Sequence, residues 1–451
     1  MAVAEGVQMP RVCLADAAAR ALGVAPGMTV TAARALSHKL VVLTRDEDAE
    51  RRALLAIADW AYQFSSQLVL HPPCALTLEV CGSLKLFGGF DALLAPLRSG
   101  LDALGYTGLL ASAPTALAAL CLARCGQERH IDALHALPAA MAPLPLSVLD
   151  WDEALIERFE GIGVRRLGEL VRLPRDGLAR RFGAAVLDDL DRLFGRRPDP
   201  HAHYQPPERF EQRVQLVTGV EDTTALLFVV QRLAGMLCGW LRGRGAGVQT
   251  FEVLLLHGGG QTTPVPLGLR APTRDVAQLM IVLRERFAAL QLAAPVLEVG
   301  LDSGLVQPYT ERSGGLFAQR ETAENVDLLD RLRARLGTDA VRGVSGVAEH
   351  RPEYAWRYSE PGEQPRVEFD QIRPLWLLPV PRSLRVRQGR PCFQGEPLHL
   401  EPGRERIESG WWDGNDIARD YFIATDAEGA CFWIYRELSG ERGWFLHGIF
   451  E

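Results

Sequence analysis

The sequence predicts an α+β chain of several domains with a β-rich C-terminal extension, and three patterns carry that expectation. Helical and strand periodicities alternate through residues 13–104, residues 146–195 read as helix throughout, and residues 210–305 return to a β-α-β pattern. With 451 residues, 47% of them hydrophobic and 23% charged, the chain is long enough for about three domains with cores of their own.

Taken in order, AAARALGVAPGMTVTAARAL begins as a helix, breaks at Gly23, turns through Pro26 and Gly27 and resumes as a second helix. Apolar residues at three- and four-residue spacing make 48–65 and 91–104 amphipathic helices. Between them CALTLEVCGSLKLF alternates polar and apolar side chains as an antiparallel strand does, ending at Gly88-Gly89. In LIERFEGIGVRRLGELVRLP two helices meet at Gly161-Ile162-Gly163. That spacing fits a helix-hairpin-helix whose backbone N–H groups approach a phosphate, or a plain αα-hairpin that needs small residues to turn. Pro198, Pro200, Pro206 and Pro207 mark a linker. Beyond it come the strand RFEQRVQL, a helix near 223–243, the hairpin TFEVLLLHGGGQTTPVPLGL, a helix at 274–290 and the strand PVLEVGLD. Gly258-Gly260 reads as the hairpin's turn, because a phosphate loop would be followed by Lys-Ser/Thr. Residues 306–324 form a second linker, followed by a helix at 326–336 and a Pro-, Trp- and Gly-rich segment closing on the strands ACFWIYRE and GWFLHGIF.

Several function classes are set aside by composition. No uninterrupted run approaches ~18 apolar residues, so no membrane-spanning helix is expected. MAVAEGVQMPRV lacks the basic start and apolar stretch of a secretory signal. The cysteines, at 13, 74, 81, 121, 125, 238, 392 and 431, form no C-x-x-C pair and no zinc or disulfide framework. His201 and His203 lack a third ligand. The expectation is therefore a reduced cytoplasmic setting with no metal and no cofactor. Lys and Arg number 49 against 56 Asp and Glu, so no global basic field advertises nucleic acid. The excess acid falls mostly after residue 310.

Three pieces together resemble the Y-family DNA polymerases of translesion synthesis. The fingers motif S-Y-x-A-R-x-x-G-V-x-x-G-M corresponds to Asp16-Ala17-Ala18-Ala19-Arg20 with Gly23-Val24 and Gly27-Met28. The palm motif S-I-D-E-A-Y-L-D-V-T-G-S corresponds to residues 72–83, PPCALTLEVCGS. A helix-hairpin-helix thumb and a β-α-β little finger follow in the family's order. The resemblance, covering roughly residues 10–305, implies fingers over 1–50, a palm over 51–140 without its N-terminal strand, a thumb over 141–205 and a little finger over 206–308. A linker over 309–325 and a C-terminal partner-binding region over 326–451 complete the chain.

The departures bear on chemistry. This palm performs phosphoryl transfer with two metal ions held by clustered carboxylates, and hard Mg²⁺ wants oxygen ligands. At the paired acidic positions stand Cys74 and Ala75, neither of which can hold such an ion. Glu79 is the nearest acid, at a family position that is not a ligand. In the nucleotide site the fingers tyrosine position is Ala17 and the palm lysine falls at about Leu120, while Arg20 is kept, to meet a phosphate or simply to pack.

A polymerase fold without catalytic acids, extended at its C-terminus, resembles the ImuB family, the inactive polymerase-like subunits of bacterial mutasomes. GSLKLFGG after the palm strand and HRPE, RPLW, GRERIESGWW, RDYF and FLHGIF between residues 350 and 450 agree with it. The resemblance implies a non-catalytic scaffold for SOS-induced error-prone synthesis, associated with the nucleoid. It would work with DNA, a RecA-like ImuA, an error-prone C-family polymerase and the sliding clamp. DNA would be met through its backbone, independently of sequence, by Gly161 and Gly163 and by Arg165, Arg166, Arg180 and Arg181, unless those arginines form a solvated face paired with nearby acids. Clamp binding uses a flexible Gln-x-x-Leu-Phe-like peptide. Leu316-Phe317 has the apolar pair without the Gln, and Gln371–Trp376 has the Gln with one residue too many. Trp376, Trp411, Trp412, Trp433 and Trp444 suit the core of a small β-rich domain, with one or two left for a partner. Two other readings are an active translesion polymerase and an interaction module that never touches DNA.

Overall fold

The N-terminal sheet closes a short sequence loop. In the computed structural model β1 (Ala2–Glu5) runs antiparallel to β2 (Arg11–Ala15), and β3 (Val42–Thr44) returns parallel to β1. Residues 7, 8, 305, 310–319, 362, 364–372, 375, 441 and 451 lie outside the described residues, and for 320–327 only the backbone is described. The chain divides into two units, Met1–Ala334 and Arg335–Glu451.

In the first unit α1 (Ala17–Ala21) starts where Asp16 accepts the Ala19 N–H at 2.7 Å, and α2 (Val30–Leu36) is capped by Thr29. Ala2, Val12, Ala15, Ala19, Val24 and Ala33 form their small core. Next come α3 (Glu47–Ala61) and the two-stranded hairpin of β4 (Leu68–His71) and β5 (Ala75–Leu78). The strand expected up to Gly88 ends at Leu78. There Glu79 accepts the Cys81 N–H at 2.9 Å and the chain coils into α4 (Leu84–Phe87), which Gly88 closes at φ +82°. Alternation in the sequence loses to this local cap. The helices α5 (Phe90–Ala103) and α6 (Ala116–Arg124) follow.

A helical core gathers α6 with α7 (Leu137–Met141), α8 (Glu153–Glu160), α9 (Leu167–Val171), α10 (Arg175–Phe182) and α11 (Ala184–Leu193) around Leu122, Met141, Phe159, Leu167 and Leu190. The β-α-β region then builds a five-stranded sheet from β6 (Glu211–Val220), β7 (Ala246–His257), β8 (Thr262–Thr273), β9 (Val296–Asp302) and β10 (Val306–Pro308). Its helices are α12 (Thr223–Gly243) and α13 (Val276–Ala288). Gly259 and Gly260 turn the β7–β8 hairpin with positive φ, so the Gly run is a hairpin turn. The backbone helix α14 (Arg320–Leu336) crosses the unit boundary.

One aromatic ring joins the hairpin layer to this sheet. Trp60 of α3 lies in a slot between Gly100 of α5 and Gly239 of α12, where an added Cβ would come within 2.2 and 2.3 Å of the ring. Its cluster runs without a break from Ala56 to Leu301. By length and composition α12 could cross a membrane, although no uninterrupted run announces it, since Gln231 and Arg232 divide the apolar residues. Its Leu226, Val230, Leu233, Leu237 and Trp240 are buried in the shared core instead. Beside Trp60, Asp59 is buried and accepts the Tyr204 hydroxyl at 2.6 Å and the Gln212 amide at 3.4 Å. Burial pushes the Asp59 carboxyl up to about 6 against those two donors.

The second unit pairs β11 (Gly343–Gly346) with β12 (Trp356–Ser359). A larger sheet comprises β13 (Trp376–Arg387), β14 (Arg390–Phe393), β15 (Glu396–Pro397), β16 (His399–Leu400), β17 (Glu405–Ser409), β18 (Ile417–Thr425), β19 (Cys431–Glu437) and β20 (Trp444–Ile449). Both faces are covered: Leu384, Ala424, Ile434 and Leu446 on one, Ile407, Tyr421, Trp433 and Tyr435 on the other. Of the five late tryptophans Trp433 is buried and Trp444 half-buried, while Trp376, Trp411 and Trp412 are exposed, more than a core role allows. The last two ride a tight loop fastened from below by buried Arg351, which pairs with Glu349 at 2.9 Å and Asp413 at 2.7 Å.

His447 is buried and shares a 2.9 Å hydrogen bond with Tyr421, whose hydroxyl also accepts from Arg419 at 3.2 Å. Burial pushes His447 down to about 4, so the ring stays neutral in the fold while an unfolded chain protonates it near 6.5. Its stabilisation is complete above about pH 6.5 and is lost as pH falls toward 4, by roughly 1–2 kcal/mol at pH 5. Between pH 7 and pH 5, urea titrations should show the parent losing that much more than His447→Asn, since the raised Asp59 carboxyl acts in the opposite direction equally in both. An unchanged pH dependence in the variant would contradict the assignment. Separately, Gly239→Ala should lower the urea midpoint, losing about 1–3 kcal/mol because the Trp60 ring has nowhere to retreat; an unshifted midpoint would show that the slot is slack.

Candidate nucleic-acid interface

The β4–β5 hairpin places Cys74 at the end of its exposed turn (residues 72–74) and Ala75 at the first position of β5, opposite His71. Neither offers an oxygen. Glu79 spends its carboxylate on the Cys81 N–H, and His71 Nε2 bonds Thr77 at 3.0 Å. Burial holds the His71 ring below its usual value, which keeps it neutral. No third strand joins the hairpin among the described residues, since β1 belongs to the N-terminal sheet. Nor, among the described residues, do three His, Cys, Asp or Glu gather there to hold a metal. Arg20 lies exposed in the last turn of α1 without an ion pair among the described residues, and Leu120 is buried in α6.

The α8–α9 turn has the glycine geometry expected of it, with Gly163 at φ +84°. Its backbone donors are already engaged, however. The Gly161 N–H bonds Glu157, Ile162 and Val164 bond the Phe159 carbonyl, and Gly163 bonds Glu160. The Arg165 and Arg166 N–H groups converge on one oxygen of Glu169 at 2.7 and 3.0 Å, and those two bonds hold its carboxyl below the ordinary range. Leu167 and Gly168 bond back to Leu144 and Ala142. A phosphate at Gly161 or Gly163 would therefore have to displace an internal acceptor.

Side chains tell a different story from the backbone. Arg165, Arg166, Arg180 and Arg181 are exposed and have no carboxylate partner among the described residues. Two neighbours that carry no motif in the sequence, Arg158 and Arg172, share that state. Arg158 donates to the Arg181 carbonyl at 2.7 Å, and both guanidiniums lie over the Phe182 ring, at 5.0 and 5.6 Å, so α8 and the end of α10 present their cations together. The acids of α11 are used elsewhere, whereas Glu153, Glu157 and Glu160 of α8 and Asp176 of α10 are exposed and make no ion pair among the described residues. Asp191 takes Arg175 and Arg196, Asp189 takes Arg192 and Asp188 takes Arg197. The paired-face reading thus fits the α11 arginines and not the six on α8–α10. Exposed guanidiniums outside ion pairs can hold phosphate oxygens through bidentate, sequence-independent contacts.

Leu316 and Phe317 lie outside the described residues, as do Gln371, Ile372 and Leu375 of the rival peptide; Trp376 opens β13 and is exposed.

Fold and site describe a mixed α/β chain whose two-stranded β4–β5 hairpin offers no oxygen ligand at Cys74 or Ala75, with an added C-terminal β-rich region. The impB/mucB/samB family (IMS) matches residues 1–124. More particularly, over nearly its whole length the chain is similar to protein ImuB. It is 28% identical to protein ImuB of Caulobacter vibrioides, in strains NA1000 and ATCC 19089, over 95% of this chain and the whole of each relative. Among solved structures it is similar to DinB from Sulfolobus solfataricus (14% identity, 67% of this chain and 90% of that one, TM-score 0.36). It is likewise similar to an insertion ternary complex of Dbh DNA polymerase (14% identity, the same coverage, TM-score 0.38).

Carboxylates alone should not restore a metal centre here. Cys74→Asp with Ala75→Glu, titrated with Mn²⁺ by calorimetry, should show no stoichiometric tight binding. Among the described residues the hairpin carries no further strand to supply the remaining ligands. A saturable one- or two-ion isotherm would contradict this.

Proposed function

We propose that the chain is a non-catalytic, polymerase-like DNA-binding scaffold for error-prone translesion synthesis induced by DNA damage. The observation that carries the reading is the palm hairpin with Cys74 and Ala75 where a two-metal palm needs paired carboxylates. Residues 1–50, 51–140, 141–205 and 206–308 serve in this account as fingers, palm, thumb and little finger, stripped of chemistry. The thumb grips the DNA backbone with the guanidiniums of Arg165, Arg166, Arg180 and Arg181, joined by Arg158 and Arg172. Arg20 marks the remnant of the nucleotide site. Leu316-Phe317 engages the sliding clamp, and residues 326–451 take up protein partners. A RecA-like ImuA and a C-family polymerase that performs the synthesis fill that role. The setting is cytoplasmic, at the nucleoid.

An interaction module without DNA contact is the reading favoured by the net charge of −7 and by the engaged N–H groups at the α8–α9 turn. Salt dependence separates the two. A mobility shift on duplex DNA should weaken with a negative log–log slope. Replacing Arg165, Arg166, Arg180 and Arg181 by Ala should shallow that slope by roughly one for each phosphate no longer held, across all sequences alike. A flat salt profile, or a variant indistinguishable from the parent, would favour the module.

A further inference from the structure

The second unit concentrates unpaired positive charge in one place. It carries 15 arginines against 19 acids, so counter-ions are not scarce. Arg342, Arg351, Arg357, Arg373, Arg404, Arg406 and Arg419 all sit in ion pairs. Arg382, Arg385, Arg387 and Arg390 have none among the described residues, and all four are exposed. They lie on the β13–β14 hairpin, which turns through Gln388 and Gly389, both at positive φ (49° and 79°), the backbone of a tight two-residue reversal.

That reversal sets Arg387 directly opposite Arg390, a like-charge cross-strand pair that costs stability in the free protein. Arg385 is two residues from Arg387 on the same strand and so shares its face, about 7 Å away. Leu384 points the other way into the core, and Pro391 and Cys392 are buried, so the arginines stand on a fixed platform. Glu396, on the next strand, is exposed and makes no ion pair among the described residues.

We infer that this hairpin is a second nucleic-acid surface, binding the phosphate backbone of single-stranded DNA through Arg385, Arg387 and Arg390. Guanidiniums repeated along a strand match an anion whose charges repeat along an extended chain, and their forks fit phosphate oxygens. A protein ligand would gain its specificity from a pocket that takes an anchoring side chain. A row of cations on a flat strand pair is suited instead to a repeating backbone charge. The surface is independent of the α8–α10 arginines, and each stands or falls alone.

The test is fluorescence anisotropy of the full-length chain with a labelled single strand of about 20 nucleotides across a salt series. The Arg385→Ala, Arg387→Ala, Arg390→Ala triple variant should bind at least about tenfold more weakly at low salt. Its log–log slope should shallow by about two, at roughly 0.7 per phosphate for single strands. Its thermal midpoint should hold or rise, since removing the Arg387–Arg390 repulsion costs the fold nothing. Triple replacement by Lys should recover most of the slope. Parental affinity and slope in the alanine variant would overturn the proposal, as would poly-glutamate competing as well as the oligonucleotide at equal charge. The thumb quadruple variant run beside it separates the readings: weakened binding there with parental binding in the hairpin variant sinks only this proposal, and the converse sinks only the thumb.

Discussion

The tryptophan ring at position 60 occupies space that two glycines on different helices vacate for it, and the architecture of the first unit follows from that fit. Without a side chain at Gly100 and Gly239, α5 and α12 close on the ring from two sides. The hairpin layer and the five-stranded sheet then bury their apolar residues in one core rather than two. Interiors are packed to the density of organic crystals, so such a fit sets distances between elements to within tenths of an ångström. The β4–β5 hairpin inherits its position from this junction, because Leu68 and the apolar residues of β5 pack in the same cluster. Asp59, one residue before the ring, links the same junction to the linker through Tyr204 and to β6 through Gln212.

Charge is distributed by a similar logic of what is already spoken for. A chain with more acids than bases can still present cationic surface when its carboxylates are committed to particular arginines. Along α11 the aspartates pair with Arg175, Arg192, Arg196 and Arg197. Six arginines of α8–α10 are left facing solvent, and those of β13–β14 repeat the pattern in the second unit. Even Glu169, placed among these cations, is turned inward to the Arg165 and Arg166 N–H groups. The interface reading therefore rests on guanidiniums, while the glycine turn serves as scaffolding.

Long elements with a strict period were legible in the sequence. The twelve-residue strands β7 and β8, their glycine turn and the helices α12 and α13 fall where alternation and capping place them. Short elements were not. Strands β1 and β2, of four and five residues, owe their form to pairing with β3 and with the Gly27 turn, which no local pattern reports. Strand β5 stops early because a single carboxylate, Glu79, caps the following turn. Cys74 and Ala75 were readable directly, since the absence of an oxygen ligand is a property of residue type. Which arginines would be free was not readable, because pairing depends on residues brought together by folding. The exposed Trp411 and Trp412 belong with these, held outward by an Arg351–Asp413 pair that spans 62 residues.

What distinguishes a scaffold shaped like a polymerase from a polymerase is whether bound primer grows. Primer extension on a primed template, with Mg²⁺ and then Mn²⁺, paired with a mobility shift on the same preparation, tests this directly. Binding without a single added nucleotide above a mock preparation is the predicted result. Metal-dependent extension would contradict the account and require oxygen ligands in place of Cys74 and Ala75.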